Sequence, residues 1–199
     1  MVFLFEKYVY LQFANRESKI IQMNKHNGMR PQDVVVLLKI ARLKDQNWLG
    51  KDLATALFIS PSEVSESLNR SSFAGLLDAD KRKLMRQAFL EFLEHGFKFV
   101  FPIQPGPIVR GMPTAHSAPP LNKVIQSQEF YVWPDALGEQ RGQAIEPLHP
   151  GVVKAAKVDS EFYELLSLID ALRIGKAREQ QIALKELKNR LGYTNEKKN

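Results

Sequence analysis

Cysteine is absent from this chain, which excludes disulfides and thiolate-bound metal and accords with a reducing cytoplasm, the expected location. Histidine is scarce. His26, His95, His116 and His149 are far apart and form no ligand-spaced pair, so no metal site is expected. No run of about 18 apolar residues occurs, so no membrane span and no membrane partner are expected. Neither GxGxxG nor a GxxxxGK loop followed by Ser or Thr is present, and no cofactor is expected. Asp78 and Asp80 sit where a turn after a helix ordinarily carries aspartate. Thr114, His116 and Ser117 lack a supporting acid at a recognisable spacing, so the chain is not expected to be an enzyme.

What is present is a basic surplus and an ordinary core. Lys and Arg number 28 against 22 Asp and Glu, a formal charge of +6, which suits a polyanionic partner. With 44% apolar residues over 199 positions, the chain can build one domain or two small ones. The first residues, MVFLFEKYVYLQF, alternate like a strand. Glu6 and Lys7 interrupt them and no small-residue cleavage site follows, which argues against a signal peptide. The stretch ANRESKIIQMNKHNG is polar and patternless, and a clean helical pattern starts only after Met29. Residues 1–28 therefore read either as an N-terminal extension upstream of a start at Met29 or as a genuine extra strand or arm.

Further along, Pro31 to Leu43 carries Val34, Val35, Leu37, Leu38, Ile40 and Ala41, a mostly buried helix. A helix over Leu84 to His95 closed by Gly96, and then a strand at 97–101, are expected from the apolar spacing. Residues 102–122 are proline-rich and predict an ordered loop with neither regular helix nor sheet. Strands are expected at 130–134 and 144–148. Ser160 to Leu191 reads as one long helix or two short ones broken at Gly175, with an apolar stripe of Phe162, Leu165, Leu166, Ile169 and Leu172. Its basic residues Arg173, Lys176, Arg178, Lys185, Lys188 and Arg190 face the other way, leaving packing onto the chain, dimerisation or phosphate contact as uses. The final residues, 195–199, are expected to be disordered.

The densest signal lies at 49–77, LGKDLATALFISPSEVSESLNRSSFAGLL. Leu53, Ala54 and Leu57 give a short helix one apolar side, and Ile59-Ser60 breaks it. Ser60-Pro61-Ser62-Glu63 is a helix start: serine cap, proline at the first helical position, glutamate three residues after the cap. Val64 and Leu68 turn the second helix back onto the first, and Gly75 is a candidate left-handed cap at its end. This is the pattern of a helix-turn-helix, whose second helix can enter a DNA major groove. With the preceding helix and the AGLL ending, residues 31–77 resemble the winged helix-turn-helix bacterial regulators of the broad MarR-like type. The resemblance implies a DNA-binding transcriptional regulator that works as a homodimer. Phe58 stands where such turns often have glycine, and Ser71 where leucine is common. Asp78 to Lys83 leaves room for only a very short wing, unless the 97–101 and 130–133 strands supply it.

If the second helix, 61–72, enters the groove, its outward face is Pro61, Ser62, Ser65, Glu66, Asn69 and Arg70. Asn69 can pair with an adenine edge, Arg70 with guanine or phosphate, and Glu66 can accept only from a cytosine amino group. Lys51, Lys81, Arg82, Lys83 and Arg86 would neutralise phosphates around it. The expected architecture is α+β: a winged helix-turn-helix over 29–101, a loop at 102–122, and a β-hairpin with a long C-terminal helix over 123–199. The expected partners are double-stranded DNA and a second copy of the chain. The alternative is a protein-interaction module, an antitoxin-like or accessory protein whose winged helix docks a protein partner, and Glu63 and Glu66 favour it.

Overall fold

The computed structural model describes residues 28–44 and 46–192. The strand or arm expected at the N-terminus and the disorder expected at 195–199 fall outside the described residues. Helices α1 (Pro31–Leu43), α2 (Gly50–Leu57), α3 (Pro61–Phe73), α4 (Arg86–Glu91) and α5 (Phe97–Val100) are followed by strands β1 (Ile108–Pro113), β2 (Tyr131–Pro134) and β3 (Gln140–Ala144). Helices α6 (Val152–Val158), α7 (Ser160–Ile174) and α8 (Ala177–Arg190) complete an α+β fold. Among the described residues no helix is long and apolar enough to cross a membrane.

Helix α1 is the centre of the molecule. Every residue from Asp33 to Ala41 is buried, because α2 and α3 pack on one side and α7 on another. A helix buried all round must be apolar all round, which explains the run VVVLL. Its two charged exceptions are paired. Asp33 receives the Arg70 guanidinium, and Lys39 Nζ donates to Asp159 Oδ2 at 2.7 Å. One connected apolar core then runs from Val34 through Trp133 to Leu191.

The α2–α3 pair forms as its sequence dictates. Ser60 Oγ accepts from the Glu63 amide at 3.2 Å, while a Glu63 carboxylate oxygen accepts from the Ser60 amide at 3.1 Å. Between the helices Phe58 takes the left-handed conformation, φ 56°, that glycine usually supplies. Its ring is half exposed and lies 5.8 Å from the Lys154 ammonium of α6. The turn is braced from the same side by Gly151, whose added Cβ would overlap the Leu57 carbonyl. After α3, Gly75 adopts φ 73° as the left-handed terminator expected of it.

Three segments differ from their sequence pattern, and a fourth decides between two readings. Residues 97–100 are helical and Phe101 caps them, continuing α4 through a π turn at Phe92–Gly96 that Gly96 does not end. Their alternation hides an i,i+4 pair: Phe97 and Phe101 are buried edge-to-face, while Phe99 is 71% exposed. The proline-rich stretch does contain a strand, β1, because Pro107 precedes it and Pro113 is its last residue, which leaves the amides between them free to pair. The third strand lies at Gln140–Ala144 rather than 144–148, since 140–143 is the segment that pairs with Ile108–Gly111. Of the two readings of 160–191, one long helix or two broken at Gly175, the structure has the second: Glu179 Oε2 accepts from the Lys176 amide at 3.0 Å and starts α8 afresh.

The three strands close on one another. β1 is antiparallel to both β2 and β3, and β2 runs parallel to β3 through Tyr131–Val132 against Gln143–Ala144. This unit is anchored to α7 by a buried carboxylate. Asp170 Oδ2 accepts from Thr114 Oγ1 at 2.9 Å and from the Trp133 indole at 2.6 Å, and Arg173 donates to its Oδ1 at 2.9 Å. Burial pushes the Asp170 pKa up against the pull of Arg173 and the two neutral donors.

Candidate nucleic-acid interface

Helix α3 has a sharply divided surface. Val64, Ser67, Arg70 and Ser71 are buried against the core, whereas Pro61, Ser62, Ser65, Glu66 and Asn69 are exposed. The serines at 67 and 71 have no exposure at all, and their small size lets α3 approach α1 closely. The outer face is therefore short-chained at 62 and 65, with Asn69 at its far end and Phe73, 77% exposed, beyond that.

Arg70 is a correction to the sequence reading. It is not on the outer face: it turns inward and is only 8% exposed. Its Nε donates to Asp33 Oδ2 at 2.9 Å and its Nη2 to Asp33 Oδ1 at 2.7 Å, a bidentate fork on a fully buried carboxylate. The physical reason is spacing. Position 70 lies three residues after buried Ser67 and beside buried Ser71, so its side chain starts on the inner face. The Asp33 hydrogen bonds, against the pull of burial, raise the Arg70 pKa, with Glu66 adding a little. Glu66 lies 3.5 Å from Arg70 Nη1 while remaining exposed. The outer face of α3 consequently carries Glu63 and Glu66 and no free cation.

Where the sequence leaves room for a very short wing, a minimal hairpin follows α3. A single antiparallel bridge joins Leu77 to Leu84, and Asp78 Oδ1 accepts from the amides of Arg82 at 2.7 Å and Lys83 at 2.9 Å. The Lys83 and Arg82 amides hold the Asp78 carboxyl below its usual range. Neither later segment supplies a wing, since 97–100 is helical and β2 is buried in the strand unit.

The basic residues around this face divide into free and committed. Lys51 at the start of α2 and Lys83 in the hairpin are exposed, and Lys81 at φ 57° is half-buried. Arg82 lies over the Trp48 ring at 4.7 Å, and its Nη1 donates to the Trp48 carbonyl at 2.9 Å. Arg86 Nη1 donates at 2.7 Å to the Leu191 carbonyl at the end of α8. These arginines serve the fold with one edge and keep their charge near the surface.

Other residues singled out by the sequence go into packing. His116 is buried, with Nε2 2.9 Å from the Glu129 carbonyl and Nδ1 3.5 Å from a Glu179 carboxylate oxygen. Ser117 Oγ accepts from the Tyr131 amide, and Thr114 belongs to the Asp170 anchor, so the three do not converge on one reacting point. On the C-terminal helices, Arg173 reaches Asp170 and the Phe101 carbonyl, Lys188 pairs with Glu94, and Arg190 with Glu164. The apolar stripe of α7 is buried within the chain and is not a surface left over for a second copy. Among the described residues no group of three His, Cys, Asp or Glu is arranged to hold a metal ion.

Comparison with known proteins finds no matching family model, and no similar curated protein or solved structure.

Proposed function

We propose that the chain is a DNA-binding transcriptional regulator in which residues 31–84 act as a winged helix-turn-helix and α3 reads the major groove. The reading rests on one observation above others: a fully capped second helix whose outer side is polar, short-chained and uncovered, beside a hairpin with Lys81 and Lys83. Ser62 and Ser65 allow close approach to base edges, and Asn69 offers the bidentate amide that suits adenine. Lys51, Lys81 and Lys83 supply phosphate contact, with Arg82 and Arg86 adding charge from their fixed positions. Arg70 positions α3 from within and reads no base. The MarR-like resemblance of 31–77 and the net charge of +6 support the same assignment. Binding as a homodimer would match the two-fold sites such motifs read. Selection of bound duplexes from a random pool tests it: enrichment of one sequence motif supports the reading, and a pool that stays random overturns it.

A second reading has its own observation. With Arg70 withdrawn, the outer face of α3 presents Glu63, Glu66 and an exposed Phe73, a combination suited to a protein partner. In that case the chain is an antitoxin-like or accessory protein, no duplex is retained at low salt, and Phe73→Ser abolishes partner capture.

A further inference from the structure

A cleft of about 320 Å³ lies between the C-terminal end of α1, the 46–49 connection and the 78–83 hairpin. Lys44, Arg82, Lys83 and Arg86 line it, with Trp48 and Asn47 between them. Among the described residues no carboxylate lines the cleft and none of these four cations is in an ion pair. Asp80 and Asp78 are the described acids nearest in sequence to Lys83; neither is within ion-pair distance of it, and Asp78 Oδ1, which feels the Lys83 charge, is taken by two hairpin amides. Elsewhere cations that lean on the body of the protein are matched: Lys39 with Asp159, Arg70 with Asp33, Arg173 with Asp170. Four like charges gathered in a concavity repel one another unless an anion joins them.

We propose that this cleft is a phosphate-binding site. Its construction suits that ligand. Arg82 is held in place by stacking on Trp48 and by its bond to the Trp48 carbonyl, and Arg86 by its bond to the Leu191 carbonyl. Each guanidinium thus uses Nη1 on the protein and has further N–H donors in a fixed plane, the arrangement that phosphate oxygens accept from. Lys44 and Lys83 are exposed and line the same cleft, adding two ammonium groups to its walls. The carbonyl bonds also show that these arginines are not simply solvated surface. The site shares Arg82, Lys83 and Arg86 with the proposed DNA interface, yet it does not depend on α3 reading bases. The phosphate can belong to a free ligand or to a DNA backbone.

The test compares the full chain with the Lys44→Gln, Lys83→Gln double variant, both positions being exposed and outside the core. Lys185→Gln on the far helix controls for loss of charge. Inorganic phosphate is titrated by calorimetry at fixed ionic strength, and an unrelated DNA duplex by fluorescence anisotropy over a salt series. Saturable binding of inorganic phosphate that weakens at least about tenfold in the double variant, and is unchanged in Lys185→Gln, supports a site for a free phosphate ligand. Binding of duplex alone, with a salt slope lowered by about two in the double variant, supports a backbone-phosphate site. If neither probe distinguishes the double variant from Lys185→Gln, the proposal is overturned.

Discussion

Replacing Arg70 by alanine is expected to destabilise the fold rather than to remove a contact with DNA. The wild-type side chain makes two charge-assisted bonds, at 2.9 and 2.7 Å, to a carboxylate with no solvent exposure. Without it, Asp33 keeps only the Arg30 amide, which donates to Oδ2 at 2.8 Å. Breaking a buried pair by removing one partner costs about 3–5 kcal/mol, because the remaining charge is stranded. That is a fifth or more of the roughly 5–15 kcal/mol by which a domain is normally stable. Urea denaturation followed by far-ultraviolet circular dichroism measures the loss. Removing the stranded charge as well, in Asp33→Ala, Arg70→Met, should recover at least about 2 kcal/mol relative to the sum of the single changes. It should also bind duplex as the wild type does. The reasoning is refuted if Arg70→Ala keeps wild-type stability yet loses duplex affinity, since Arg70 would then act on the outer face.

The same structure sets three further expectations. Thr114→Val removes one of the three donors to buried Asp170 and should lower stability by about 1–3 kcal/mol, read by denaturation at pH 7. Gly75→Ala should cost about 1 kcal/mol, because φ 73° penalises a side chain even though a Cβ there meets no atom within 4 Å. Burial works against ionisation of Asp159, but Lys39, the Phe162 amide and Arg42 outweigh it and its pKa is lowered on folding. A lowered carboxylate pKa contributes stability above the unfolded value near pH 4 that is lost as pH falls through the folded one. Lys39→Met should therefore flatten the acid side of the stability profile, and an unchanged profile would remove Asp159 from that role.

Local chemistry carried much of this fold. Proline at the first turn of α1, the Ser60–Glu63 box and Gly75 each act within a few residues, so α1, α2 and α3 are legible to within a residue or two. What escaped depends on partners remote in sequence. Asp33 and Arg70 are 37 residues apart, Arg82 and Trp48 are 34 apart, and Arg86 and Leu191 are 105 apart. A basic residue on a helix reads as solvated surface until its carboxylate or carbonyl is known. For Arg70 a local signal did exist: Val64, Ser67 and Ser71 mark one face, and position 70 lies within it. At 97–101 the error was one of period, since Phe97 and Phe101 satisfy alternation and helical spacing equally. The pairing of β1 with β3 joins segments more than 25 residues apart and leaves no local mark.

The central claim, that α3 reads base edges, is tested most directly by Asn69. Anisotropy over a salt series would use a duplex from upstream of the chain's own gene and an unrelated duplex. For the wild type we expect tighter binding to the upstream duplex and a steep fall in affinity with salt. In Asn69→Ala the preference for the upstream duplex should shrink by about 1–3 kcal/mol, roughly five- to 150-fold, while the salt slope stays the same. An Asn69→Ala protein with wild-type preference, or a wild type that binds neither duplex at low salt, would contradict the account.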